Sequence, residues 1–112
     1  MTIKKALLLA LLVFSVALII AAYSTKDRIT VPEVRAAIDR ELRVGAAPQE
    51  IELFLTKHGF EYSYDKYNNR YQAIIRDISH NPFVDKALQV RVNLDDAKTY
   101  RSADVFTSYT FL

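Results

Sequence analysis

Apolar and polar positions divide this 112-residue chain into three regimes. The first is continuous. Residues 6–22 run 17 positions without a charge, and Leu7, Leu8, Leu9, Leu11, Leu12 and Val13 would occupy every side of a helix. The second regime repeats at three and four residues: Val34, Ala37, Ile38 and Leu42 share one helical face, with Arg35, Asp39, Arg40 and Arg43 elsewhere. Ile51, Phe54, Leu55 and His58 repeat that spacing. After Gly59 the period falls to two, the mark of a sheet. Phe60, Tyr62 and Tyr64 alternate with Glu61, Ser63 and Asp65, and Leu88, Val90, Val92 and Leu94 alternate with Gln89, Arg91 and Asn93.

Punctuation between these runs sets the boundaries. Thr30 and Glu33 have capping-box spacing, with Pro32 in the first turn where its missing N–H is harmless. That helix should end near Gly45. A second should open at Pro48, with Glu50 near its positive end, and stop at Gly59, with Lys57 and His58 beside the negative end. Asn68-Asn69 tolerates positive φ, so a strand over 70–78 should return antiparallel as a hairpin. Residues 79–82 break the ladder, a third strand carries Leu88 to Leu94, and Asp95-Asp96-Ala97 turns into a last strand over 98–111, with a bulge or bend at 102–104. The expected fold is α+β: two N-terminal helices packed on one face of a four-stranded antiparallel meander, preceded by an apolar export or anchor helix. Residues 1–24 form the export segment, 25–30 a linker and 31–112 the domain.

The leading segment has the layout of a secretory signal. Lys4 and Lys5 hold the amino end in the cytoplasm while the apolar run enters the bilayer, so the remainder is translocated. Two fates are open. Ala22, Tyr23 and Ser24 place small residues where a signal peptidase reads, which gives a periplasmic or secreted domain. An uncleaved run of 17 residues reaches about 25 Å against a hydrocarbon core of ~30 Å, which gives a single-pass inner-membrane anchor. In both cases the domain belongs to the cell envelope, with the membrane as its first partner.

Charge and composition then narrow the function. Lys4 and Lys5 are two of the 15 basic residues, leaving 13 against 13 acidic from Thr25 onward. A neutral domain has no net pull on phosphates, which excludes nucleic acid as a partner. The chain has no cysteine, so disulfides, thiolate metal sites, a thiol nucleophile and acylation through cysteine are all absent. The 88 residues from Thr25 bury roughly 60–65% of the unfolded surface, enough for one modest core.

Chemical candidates are few. Neither His58 nor His80 has a second histidine at i+3 or i+4, and the simpler readings are a helix-end residue and a turn residue. Asp95, Asp96 and Asn93 cluster oxygens but lack the rest of a calcium loop, so a solvated turn is the simpler reading. No Gly-x-Ser-x-Gly or Ser-x-x-Lys motif is present. The expectation is no enzyme, no cofactor and no metal. What stands out is tyrosine: Tyr62, Tyr64, Tyr67, Tyr71, Tyr100 and Tyr109 lie in the strand region. Tyr62 and Tyr64 share the face of Phe60, whereas Tyr67, Tyr71 and Tyr100 are less constrained: core packing is the simpler reading of strand tyrosines, and an exposed recognition patch is the alternative, in which these three are the expected partner-contacting residues.

Helix, helix and consecutive strands, with Val44-Gly45 ahead of Pro48-Gln49-Glu50-Ile51 and Phe54-Leu55, resemble the small periplasmic domains of the outer-membrane assembly lipoprotein type. β-Lactamase inhibitory protein modules share that architecture. The resemblance covers roughly 31–112 and implies a non-enzymatic, protein-binding envelope module. The chain departs from the pattern in two places: Ala21-Ala22-Tyr23-Ser24 stands where those lipoproteins carry the acylated cysteine, and Ala47 replaces the usual hydroxyl cap of the second helix. The leading expectation is an envelope module that binds another protein through its sheet face or hairpin loops. The alternative is a lipid or glycan held between helices and sheet. A hydrolase ranks third.

Overall fold

The computed structural model describes residues 3–22 and 27–111, with side chains described for 3–12 and 27–110. The chain is α+β, with three helices and one four-stranded antiparallel sheet. In order these are α1 (Ile3–Ala22), α2 (Val31–Glu41), α3 (Pro48–Lys57), β1 (Glu61–Asp65), β2 (Arg70–Ile75), β3 (Val84–Leu94) and β4 (Tyr100–Phe111). The strands lie side by side in sequence order.

α2 begins where the capping residues place it: Thr30 is extended and its Oγ1 accepts from the Glu33 N–H at 3.4 Å. It stops at Glu41, short of Gly45, because Leu42 turns to extended backbone while its N–H still reaches the Ile38 carbonyl at 2.8 Å. Gly45, at φ 93°, then starts the short crossing to α3. α3 opens on Ala47 with no side-chain cap and closes at Gly59, φ 78°.

The apolar stripes of both helices meet one side of the sheet. Val34, Ala37 and Ile38 of α2 and Ile51, Phe54 and Leu55 of α3 form a single core with Tyr71, Ala73, Leu88, Val90, Val92, Leu94, Tyr100 and Ala103. The register explains the set, since Tyr71 faces Val92, Ala73 faces Val90, and Val92 faces Ala103. Ile38, Ile51, Leu55, Ile78, Leu88, Val90 and Val92 are fully buried, each contributing about 1.5–3 kcal/mol relative to exposure. Two polar ties fix the layers: Arg35 Nη2 donates to the Ala103 carbonyl at 2.6 Å, and the Gly45 and Tyr100 N–H groups donate to the Tyr100 and Ala46 carbonyls at 2.8 and 2.9 Å.

Further features differ from expectation. β2 ends at Ile75 because Asp77 takes φ 55° and turns Ile78 into the core. β3 starts at Val84, well before Leu88, because its first residues pair with the end of β4. The bulge falls on Arg101, ahead of 102–104: Asn93 pairs with Ser102 and Leu94 with Tyr100, leaving Arg101 as the extra residue. The expected linker is part of the domain from Asp27 onward, as Arg28 N–H donates to the Ile78 carbonyl at 2.8 Å and Ile29 packs on the core.

In α1, the side chains of Ile3, Leu7, Leu8, Leu9, Leu11 and Leu12 are exposed. Among the described residues no helix is long and apolar enough to cross a membrane. Of the expected cleavage region, Ala22 is the last residue of α1, while Tyr23 and Ser24 lie outside the described residues.

Candidate functional site

The meander gives the sheet two unlike ends. The β1–β2 and β3–β4 hairpins lie at one end, because Arg70 pairs with Asn93 just inside both turns. At the other end, residues 76–83 cross from β2 to β3, and Asp27 reaches the sheet through its ion pair with Lys86 at 2.5 Å. Lys86 to Leu94 spans eight residue steps, so the ends are about 27 Å apart.

At the hairpin end each turn is wired by one carboxylate. Asp65 accepts from the backbone of Tyr67 at 3.1 Å, from the Asn68 amide at 2.7 Å and from Gln72 Nε2 at 3.0 Å. Asp95 accepts from the Ala97 and Thr99 N–H groups at 3.0 and 2.9 Å and from the Thr99 hydroxyl at 2.5 Å. Hydrogen bonding holds both carboxyls below the usual carboxylate range, led at Asp65 by the Asn68 side chain and at Asp95 by the Thr99 side chain. Asn69, at φ 49°, then joins the two turns: its amide donates to the Asp95 carbonyl at 2.8 Å, its own carbonyl accepts from Leu94 N–H at 3.1 Å, and its Oδ1 accepts from the Tyr64 hydroxyl at 2.9 Å. The paired tips are therefore one ordered surface.

That surface presents Tyr67, 88% exposed, with the Lys66 ammonium 5.4 Å from its ring centre. Lys98, at φ 64°, sets its ammonium 5.8 Å from the Tyr64 ring. The Asp65 and Asp95 oxygens are engaged by hydrogen bonds within the hairpins, so the outward groups are the Tyr67 phenol, the Lys66 and Lys98 ammonium groups and the exposed Asp96 carboxylate.

Tyr71 and Tyr100 correct the expected contact set. They are 6% and 7% exposed, because the pairings Tyr71–Val92 and Tyr100–Leu94 set them on the core side. Burial raises both phenols above their ordinary range. Tyr62 and Tyr64 do share the core side, but on edge strand β1 they remain partly exposed and lean edge-on against Tyr71, with ring centres 6.0 and 5.5 Å away. Of the three expected contacts, only Tyr67 is available to a partner.

The sheet side away from the helices is open and polar. Gln89 Nε2 donates to the Ser108 hydroxyl at 3.0 Å, Asn93 donates to Ser102 and Asp104 at 3.2 and 3.0 Å, and the Arg91 guanidinium lies 4.8 Å from the Phe106 ring centre. A broad groove of about 320 Å³ runs past Ser63, Gln72, Ile74 and Gln89. Asn93 is thus committed to β4 and does not join Asp95 and Asp96. No group of three or more His, Asp or Glu side chains is placed to share a metal ion among the described residues.

His58 ends α3 against Phe54, ring centres 4.5 Å apart, with Nε2 2.7 Å from Glu41 Oε2. Lys57 bonds the other oxygen of Glu41, and these two contacts, the Lys57 one first, hold the Glu41 carboxyl below its usual range. A histidine–carboxylate pair is half of a catalytic arrangement. The pair joins the end of α2 to the end of α3, beside a 230 Å³ groove lined by Ile29, Val34, Ala37, Arg40 and Phe60 among others. His80 is exposed in the 76–83 connection.

Sequence reasoning passed over Lys98, Phe106 and Phe83 as surface residues. Phe106 was legible by parity, since counting by two from Asp104 sets it opposite Val105. Phe83 follows Pro82 inside a turn, where an aromatic side chain has no core position to fill. Protein-family models, curated proteins and solved structures yielded no match to this chain.

Proposed function

We propose that this chain is a non-catalytic, membrane-tethered module of the cell envelope that binds another protein through its twin hairpin tips and the adjoining open sheet face. The apolar run over 6–22, preceded by Lys4 and Lys5, supports the tether, because five exposed leucines on all sides of α1 call for a lipid environment. The observation that carries the binding role is the pair of hairpins locked together by Asn69, which display Tyr67, Lys66 and Lys98 about 27 Å from the end where Asp27 joins the sheet. Ordered tips incur little ordering entropy on association, and an exposed phenol beside Lys66, Lys98 and Asp96 suits a polar partner surface of mixed charge.

A photo-crosslinking amino acid at position 67, in the full chain in its native membrane, tests this reading. A discrete protein adduct that is lost when Lys66→Glu and Lys98→Glu are introduced together is the expected result. Adducts only from position 72 on the open sheet face, with none from 67, would move the interface away from the tips.

The lipid- or glycan-binding alternative rests on the groove beside α2 and α3. At 230 Å³ it lies below the roughly 300–1,000 Å³ of typical ligand pockets, which favours the protein-binding reading. A thermal shift with envelope lipids or peptidoglycan fragments, abolished by Ala37→Phe, would reverse that preference.

A further inference from the structure

We infer that the turn over 79–83 is a second membrane contact, in which the exposed ring of Phe83 enters the headgroup zone of the same bilayer that holds α1. The inference rests on the reading of α1 as a membrane segment. Phe83 is 76% exposed, yet its backbone is ordered: its N–H donates to Asn81 Oδ1 at 3.0 Å, the Asn81 N–H donates to the Ser79 hydroxyl at 3.0 Å, and the Val84 N–H donates to the Asn81 carbonyl at 3.3 Å. Pro82 restricts the remaining φ freedom next to it. The turn fixes the backbone that carries the exposed ring.

The base of this turn is tied to the residues that follow α1. Arg28 N–H donates to the Ile78 carbonyl at 2.8 Å, Ile78 N–H donates to the Lys86 carbonyl at 3.0 Å, and the Lys86 ammonium meets Asp27 at 2.5 Å. Asp27 is five residue steps from Ala22, a reach of at most about 18 Å. The end of the sheet that carries Phe83 therefore cannot travel far from the point where α1 leaves the hydrocarbon.

Tyr109 is at this end too, exposed and 5.1 Å from the Lys86 ammonium. Aromatic rings with lysine nearby are the side chains favoured at the membrane–water boundary. Residues 76–86 carry Arg76 and Lys86 against Asp77 and Asp85, so the contact has no net charge. It should form on zwitterionic lipid and resist salt. With this end seated, the sheet stands on the bilayer and the hairpin tips face outward.

The chain has no tryptophan, so Phe83→Trp and Tyr67→Trp each introduce one indole reporter. Both full-length variants would be reconstituted in phosphatidylcholine vesicles with lipids spin-labelled near the headgroup or deep in the acyl chain, and flotation would score α1 insertion separately. The expected result is a floating chain in which emission from the indole at position 83 shifts to shorter wavelength and is quenched most by the shallow label, unchanged in 0.5 M salt as about a 4 Å screening length would leave an apolar contact. The indole at position 67 should stay water-like. If the chain floats and the two reporters behave alike in water-like fashion, or the one at 83 shifts without lipid quenching, the second contact is wrong and the tether stands. Quenching of both reporters would overturn the upright orientation, and failure to float would remove the tether and this inference together.

Discussion

Tyrosine at 67 and tyrosine at 71 are four residues apart and have opposite consequences. Tyr71 is in the core, and Tyr71→Ala should lower stability by about 3–5 kcal/mol, read as a fall in the urea midpoint. Tyr67→Ala leaves only solvent behind and should stay within about 0.5 kcal/mol of the parent by the same assay. The buried phenols add a spectroscopic signature. Desolvation raises Tyr71 and Tyr100, so their ultraviolet ionisation should lag that of the other tyrosines, and stability present below the ordinary phenol pKa of about 10 should be lost as pH rises through the folded values. A single ionisation step for all tyrosines below the unfolding pH would contradict that placement. Helix caps act at the same scale. Ala47 precedes α3 with extended backbone and no side-chain acceptor, so Ala47→Asp should gain about 0.5–1 kcal/mol, whereas Thr30→Ala should lose about 1 kcal/mol.

Elements are held to one another by carboxylates whose ionisation matters. Glu41 links α2 to Lys57 and His58 of α3, and Asp65 and Asp95 wire the hairpin turns. All three have folded pKa values below the ordinary range, so their contribution is present above the unfolded values and is lost as pH falls through the folded ones. Lys86 has the opposite sign: its Asp27 hydrogen bond raises its pKa, and that contribution is lost only as pH rises through the folded value. Hydrogen exchange should therefore report the 66–69 and 95–99 turns loosening in mild acid before the core strands. Much of this element plan was legible in the chain. Two stripes at helical spacing, the capping residues, Gly59 and Asn68-Asn69 located the starts of α2 and α3, the end of α3 and the β1–β2 turn. The misjudged features share a cause, since side-chain period locates a face but not which backbone edge finds a partner. Ile78 broke the parity of Tyr71, Ala73 and Ile75, a sign that the strand had ended. Val84 and Lys86 kept the parity of Leu88, a sign that β3 began earlier. Tyr71 shared the parity of Ala73 and Ile75, a sign of its core face, whereas Tyr100 lies beyond the bulge at Arg101 and required the cross-strand register with Leu94.

For the whole molecule, the asymmetry of the sheet organises the account: one end is tied to the segment that leaves α1, and the other displays two ordered hairpins. Shared chemistry at either end is modest, and the functional proposal comes from their separation on one rigid sheet. The central claim is that α1 keeps the domain at a membrane with the hairpin tips beyond the cytoplasm. The chain has no cysteine, so Tyr67→Cys gives one reactive thiol at the exposed tip. Intact cells with a permeabilised outer barrier would be treated with a membrane-impermeant maleimide before and after lysis. Full labelling of the thiol at position 67 before lysis is the predicted result. Labelling that appears only after the cytoplasm is opened would contradict the account.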